Sequence, residues 1–265
     1  MLIFRIILFT FLMGSVSSLF RPLDAQDNKS LSDLSHGFPD TTSANNASSS
    51  FFAGEERKKS VTLGGDLLSS YIWRGTRQGR GPHIQPYAEY ASGLFAGGVW
   101  GTFDLHGYRE IDLYLSFDLP GGFALNLQDY WMADQRWSDF TTAGGSHALE
   151  VGIGYESDYV NFSAGYILNE AGGAGSYGGD LYLESRFSFD YFTVIMGAGN
   201  GWHTLEGQFA VCCIGLETGL DIPVSDSFVI PVSAQMVYNP DSRMIFCTAG
   251  ISFSAGISFP GGRGY

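Results

Sequence analysis

The sequence predicts an all-β chain, an antiparallel transmembrane β-barrel of about 12 strands. Three observations predict it. From Val61 onward, apolar and polar side chains alternate with period two, the pattern of a strand with two unlike faces. Segments of about ten residues, enough for a tilted strand to cross a bilayer, are joined by alternately long and short connections. Only 15% of the residues are charged although 45% are hydrophobic, against about 25–35% charged on a water-facing surface. The 36 Gly, 14 Tyr and 21 Phe suit strands and turns better than helices.

The elements follow in order along the 265 residues. Residues 1–25 read as a signal peptide: Arg5 supplies the positive charge, Ile6 to Met13 the apolar core, and "LDA" before Gln26 the cleavage site. The apolar core is short for a membrane anchor of about 20 residues. Residues 26–60, with "SANNASSS" and "EERKKS", read as a flexible polar leader. Residues 61–265 are the barrel. In "EIDLYLSFD", Ile111, Leu113, Leu115 and Phe117 oppose Glu110, Asp112, Tyr114, Ser116 and Asp118. "NFSAGYIL" and "DLYLESRFS" repeat the pattern. Strands begin near Val61, His83, Leu94, Glu110, Phe123, His147, Tyr159, Gly179, Phe192, Phe209, Phe228 and Arg243. Pro86 and Pro231 weaken two of them. Stretches such as "GTRQGRGP" and "MADQRWSDFTTAGGS" are long external loops, and "ASG", "LPGG" and "ESD" are short periplasmic turns. A water-soluble barrel would also alternate, but its second face would carry more charge.

Aromatic residues at strand ends, Tyr71, Trp73, Trp131, Tyr155 and Tyr166, are the expected interface belts. The polar face supplies the expected pore lining: Asp66, Arg74, Glu89, Asp112, Tyr114, Glu150, Asp180, Glu184, Arg186 and Glu217. Acidic groups dominate it, which points to a passage that mildly favours cations. Glu184 and Arg186 share one face of one strand and are expected to pair.

"SSYIWRGTRQ", "QPYAEYASGLFAGGVWGTFD" and "EIDLYLSFDL" resemble the opening strands of the TorF-type porins, a family of Gram-negative outer-membrane proteins. The resemblance is most specific from Ser69 to Leu119 and rests on barrel patterning beyond. It implies an outer-membrane channel for small solutes. The chain departs from the pattern at its end, where "GISFSAGISF" is followed by "PGGRGY", leaving Phe253, Phe259 or Tyr265 as the closing aromatic.

The expected function is passive diffusion of small hydrophilic solutes through the outer membrane, with the bilayer as the main partner. The alternative is a structural or adhesive barrel with a plugged lumen and partner-binding loops such as Met132 to Ser146. An enzyme is not expected: Ser146 and His147 are adjacent, which puts them on opposite faces of a strand, and no G-x-S-x-G or metal spacing occurs. Cys212, Cys213 and Cys247 read as free thiols, the first two on opposite faces. No cofactor is implied. A net charge of -13 argues against nucleic acid.

Overall fold

The computed structural model describes residues 57–225 and 228–259. The expected signal peptide and most of the leader lie outside the described residues. Twelve strands form one closed antiparallel barrel. Its members are β1 (Arg57–Leu68), β4 (His83–Gly93), β5 (Phe95–Asp104), β6 (Arg109–Leu119), β7 (Phe123–Met132), β8 (His147–Glu156), β9 (Val160–Ile167), β12 (Leu181–Ser188), β13 (Thr193–Gly199), β14 (Ala210–Ser225), β15 (Phe228–Asn239) and β16 (Met244–Ser258). Two small hairpins stand apart from the wall: β2 (Tyr71–Trp73) with β3 (Thr76–Gln78), and β10 (Glu170–Ala171) with β11 (Ser176–Tyr177). The first strand begins at Arg57, so the end of the polar leader is already part of the wall.

Closure is made by β1, which pairs with β4 on one side and β16 on the other. The last strand runs through Phe253 to Ser258, which lies opposite Ser60. Phe259 N–H then donates to Lys59 O at 2.7 Å. Pro86 is tolerated opposite Gly65 in the β1–β4 pair. Pro231 marks a limit instead: the β15–β16 ladder stops at Val232↔Ile251, beside a residue with no N–H to give.

The period-two pattern decides which face is which. On β6, Glu110, Asp112, Ser116 and Asp118 are buried, while Leu113, Leu115 and Phe117 are 44–47% exposed. The same orientation recurs on β1 with Leu63 and Leu67, on β7 with Leu125 and Leu127, and on β8 with Leu149 and Ile153. The polar face is inside and the apolar face outside, the reverse of a water-soluble barrel.

The alternation fails at one predicted pair. Between Gly197 and Ala198 the β13–β14 register shifts, because Val211 and Cys213 face consecutive residues of β13. This bulge places one extra residue on β14. Cys212 and Cys213 are therefore both buried, not on opposite faces, and both are free thiols.

Candidate functional site

The site is the interior of the barrel, and it is filled. One end of it is closed by the β2–β3 hairpin. β1 ends at Leu68, and Ser69 N–H donates to Ala249 O at 2.8 Å. The bend at Ser69 and Ser70 breaks the strand period, so the next segment turns into the barrel. Arg74 and Gly75 form the tip of the hairpin with φ of 47° and 86°. Two positive-φ residues between paired Trp73 and Thr76 make the tight turn that suits strand twist. Gly75 is needed there on a second count: a Cβ would run into Cys212 O.

This geometry corrects the reading of Tyr71 and Trp73. They are not outward interface residues. They are 1% and 6% exposed and form the centre of an internal aromatic cluster. Trp73 lies 4.9 Å from Trp202 and 5.5 Å from Tyr130, ring centre to ring centre, and Tyr71 lies 5.6 Å from Trp100. Alternation continues only as long as the strand does, and β1 had ended. Trp131, Tyr155 and Tyr166 do lie on the outer face: Trp131 against Trp137 at 4.8 Å, Tyr155 against Phe123 at 5.0 Å, and Tyr166 at 46% exposure.

Arg74 is the hub of this cap. Its guanidinium donates both terminal nitrogens to Glu150, at 2.7 Å each, the forked geometry that makes arginine–carboxylate pairs strong. It also reaches Tyr130 Oη at 3.3 Å. The rings of Trp73 and Tyr182 stand 4.8 and 4.7 Å from its central carbon, within cation–π range. His203 Nε2, in the turn Gly201–His203, is 3.3 Å from Nη1. Arg74 has no acceptor, so Nε2 must accept and the imidazole is neutral. Burial, and then the adjacent guanidinium, hold the His203 pKa well below its usual 6.5. Asn239 Nδ2 donates to Gly75 O at 3.1 Å and ties the hairpin tip to β15.

A second network lies on β12 and β14. Arg186 contacts Glu184 at 3.4 Å and Glu217 at 2.8 Å. Tyr182 Oη donates to Glu184 at 3.0 Å, and Gln235 Nε2 to Glu217 at 3.2 Å. A third network lies on β4 to β7. Tyr114 Oη donates to Glu89 at 3.1 Å, Gln128 to Asp112 at 3.0 Å, and Tyr108 Oη to Glu110 at 2.8 Å. Asp66 is buried on β1 opposite Ser252. Asp180 precedes β12 and serves the loop, accepting from Ser176 Oγ and Tyr177 N–H at 2.9 Å each. A small cavity lined by Asn126, Gln128, Glu150, Gly152, Ile153, Ser163 and Ala164 is about one water in size.

Sequence reading of the site passed over Glu110 and Asp118, although both share the period-two face of Asp112 and are buried with it. Tyr130 was legible in the same way from β7. His203 was not, because it sits in a loop that only the folded chain brings to Arg74.

On the outside, His147 Nδ1 faces both Asp129 oxygens at 3.0 Å. This resembles the base and orienting acid of a hydrolase. Its other nitrogen is spent, 2.7 Å from Trp137 O, and Ser146 Oγ is turned to Arg136 O at 2.8 Å. The pair anchors the loop between β7 and β8.

No protein-family model matches the chain, and no curated protein matches it. Among solved structures, three variants of the Rhodopseudomonas blastica porin are each 12% identical to it, with TM-scores of 0.35, 0.36 and 0.35. Each match covers 65% of this chain and 55% of that porin, so the chain spans little more than half the length of those porins.

Proposed function

We propose that the chain is an outer-membrane, porin-like channel that passes small hydrophilic solutes, favours cations, and is held shut at its outer end by the β2–β3 hairpin. One observation carries this: an apolar face turned outward around the barrel, with a carboxylate-rich face turned in. Apolar surface costs about 25 cal/mol per Å² in water, so an outward face of Leu, Ile and Phe calls for a lipid surround. A polar interior is the lining of a hydrophilic passage. Residues 1–25 then serve as the export signal, residues 26–60 as a leader, and the likeness of Ser69 to Leu119 to the TorF-type porins is one of function. The chain works as a channel and not as an enzyme, in keeping with His147 being tied into loop anchoring.

A second reading, a structural barrel with a permanent plug, is favoured by the burial of Arg74 at 3% exposure with every terminal nitrogen engaged. Reconstitution of the refolded chain into a planar bilayer separates the two. The channel reading expects discrete current steps with cation preference. Silence from the wild type and from a hairpin-displaced variant supports the structural barrel.

A further inference from the structure

The interior carboxylates are not evenly neutralised. Arg74 is committed to Glu150, and Arg186 to Glu184 and Glu217. Both arginines therefore serve the β8, β12 and β14 side. Glu110 and Asp112 stand on β6, two residues apart on its inner face, 3% and 2% exposed. A separation of two residues on one strand puts side chains about 7 Å apart at their bases, close enough for two carboxylates to act on one charge. Their hydrogen-bond donors are both neutral, the Tyr108 hydroxyl and the Gln128 amide. Among the described residues, neither forms a salt bridge.

Two neighbouring carboxylates buried together cannot both stay ionised without a compensating positive charge. Either they share a proton or they hold a cation. The oxygens favour a cation. Asp112 Oδ1 is buried with no hydrogen-bond donor, and so are Ser116 Oγ on the same face of β6 and Asn126 Oδ1, on the residue paired with Ser116. A shared proton would occupy one carboxylate oxygen and leave the hydroxyl and amide oxygens unserved. A cation without its full water shell is met at the pair by Asp112 Oδ1, and Ser116 Oγ with Asn126 Oδ1 offers a second pair of oxygens four residues further along the face. Among the described residues, no group of three or more His, Cys, Asp or Glu side chains is placed to hold a metal. Two carboxylates assisted by neutral oxygens suit a small monovalent ion.

We propose that the inner face of β6 binds a monovalent cation of sodium or potassium size, held first between Glu110 and Asp112 and passed inward past Ser116 and Asn126. Conduction by this route rests on the channel reading above; binding does not. Ser116 lies four residues beyond Asp112, about 13 Å along the strand, so the two positions are separate weak sites from which an ion can leave.

The test has two arms. The first needs no conduction: thermal unfolding of the refolded barrel in sodium, potassium or choline chloride at equal ionic strength. Sodium or potassium raises the wild-type midpoint relative to choline, which is too large to enter, and the gain disappears in Asp112→Asn. Glu110→Gln serves where Asp112→Asn does not refold. The second arm is the reversal potential in a salt gradient. Cation-over-anion permeability falls about threefold in Asp112→Asn and stays at the wild-type value in Asp158→Asn, in the exposed turn between β8 and β9. Identical midpoints in all three salts, with a carboxylic-acid C=O infrared band lost in Asp112→Asn, would mean a shared proton and overturn the site. Unchanged selectivity in Asp112→Asn overturns the route while leaving the channel standing. A silent bilayer with an intact sodium effect overturns the channel and leaves the binding site.

Discussion

Arg74 illustrates how one residue holds a buried cap. A desolvated guanidinium is unfavourable unless its donors and its charge are both answered. Glu150 answers the charge, and Tyr130, Trp73 and Tyr182 surround the rest. Removing the carboxylate leaves the guanidinium buried and unpaired. Glu150→Ala is expected to cost about 3–5 kcal/mol, measured by urea unfolding of the refolded barrel. His203 adds a pH dependence of known sign. Its native pKa is depressed, so the native state binds fewer protons than the unfolded state just below 6.5. Its contribution is full above pH 6.5 and declines as pH falls from there toward the native value. His203→Phe, which keeps the ring but cannot titrate, is expected to flatten the stability profile in that window. An unchanged slope would remove His203 from the account.

At the scale of elements, the β2–β3 hairpin depends on backbone shape as much as on contacts. Gly75 combines φ of 86° with no room for a Cβ beside Cys212 O. Gly75→Ala is expected to dislodge the tip, exposing Arg74 to trypsin in the folded barrel; a wild-type digestion pattern would show that the tip tolerates it. The bulge in β14 makes a separate prediction. With Cys212 and Cys213 buried and Cys247 exposed on the outward side, a membrane-permeant maleimide is expected to label the folded chain once, at Cys247, by intact mass. The hairpin and the bulge were also the two features that alternation could not foresee. A period-two pattern encodes which face a strand residue takes, but not where a strand stops or gains an extra residue. "SSYIW" keeps the pattern through the bend at Ser69, and "VCCIG" looks regular without its partner strand.

For the whole molecule, the strand count, the antiparallel order and the inside-polar orientation were all legible in the sequence, because each follows from local alternation and loop length. β4, β7, β8 and β15 begin at His83, Phe123, His147 and Phe228, where the pattern placed them. What the sequence did not carry is how full the interior is. Three long connections bring Trp73, Ala171 and Trp202 into one cluster, and that meeting depends on the closed barrel. Burial of these groups is the reason the interior is filled although its lining is polar.

The claim that joins these scales is that a polar passage exists and the hairpin closes it. Single-channel recording in a planar bilayer, comparing wild type with Gly75→Ala, tests it most directly. The account predicts small, cation-favouring steps from the wild type and longer or larger openings when the hairpin is displaced. Silence from both proteins, each first shown to be folded and inserted by heat-modifiable gel mobility, would contradict it.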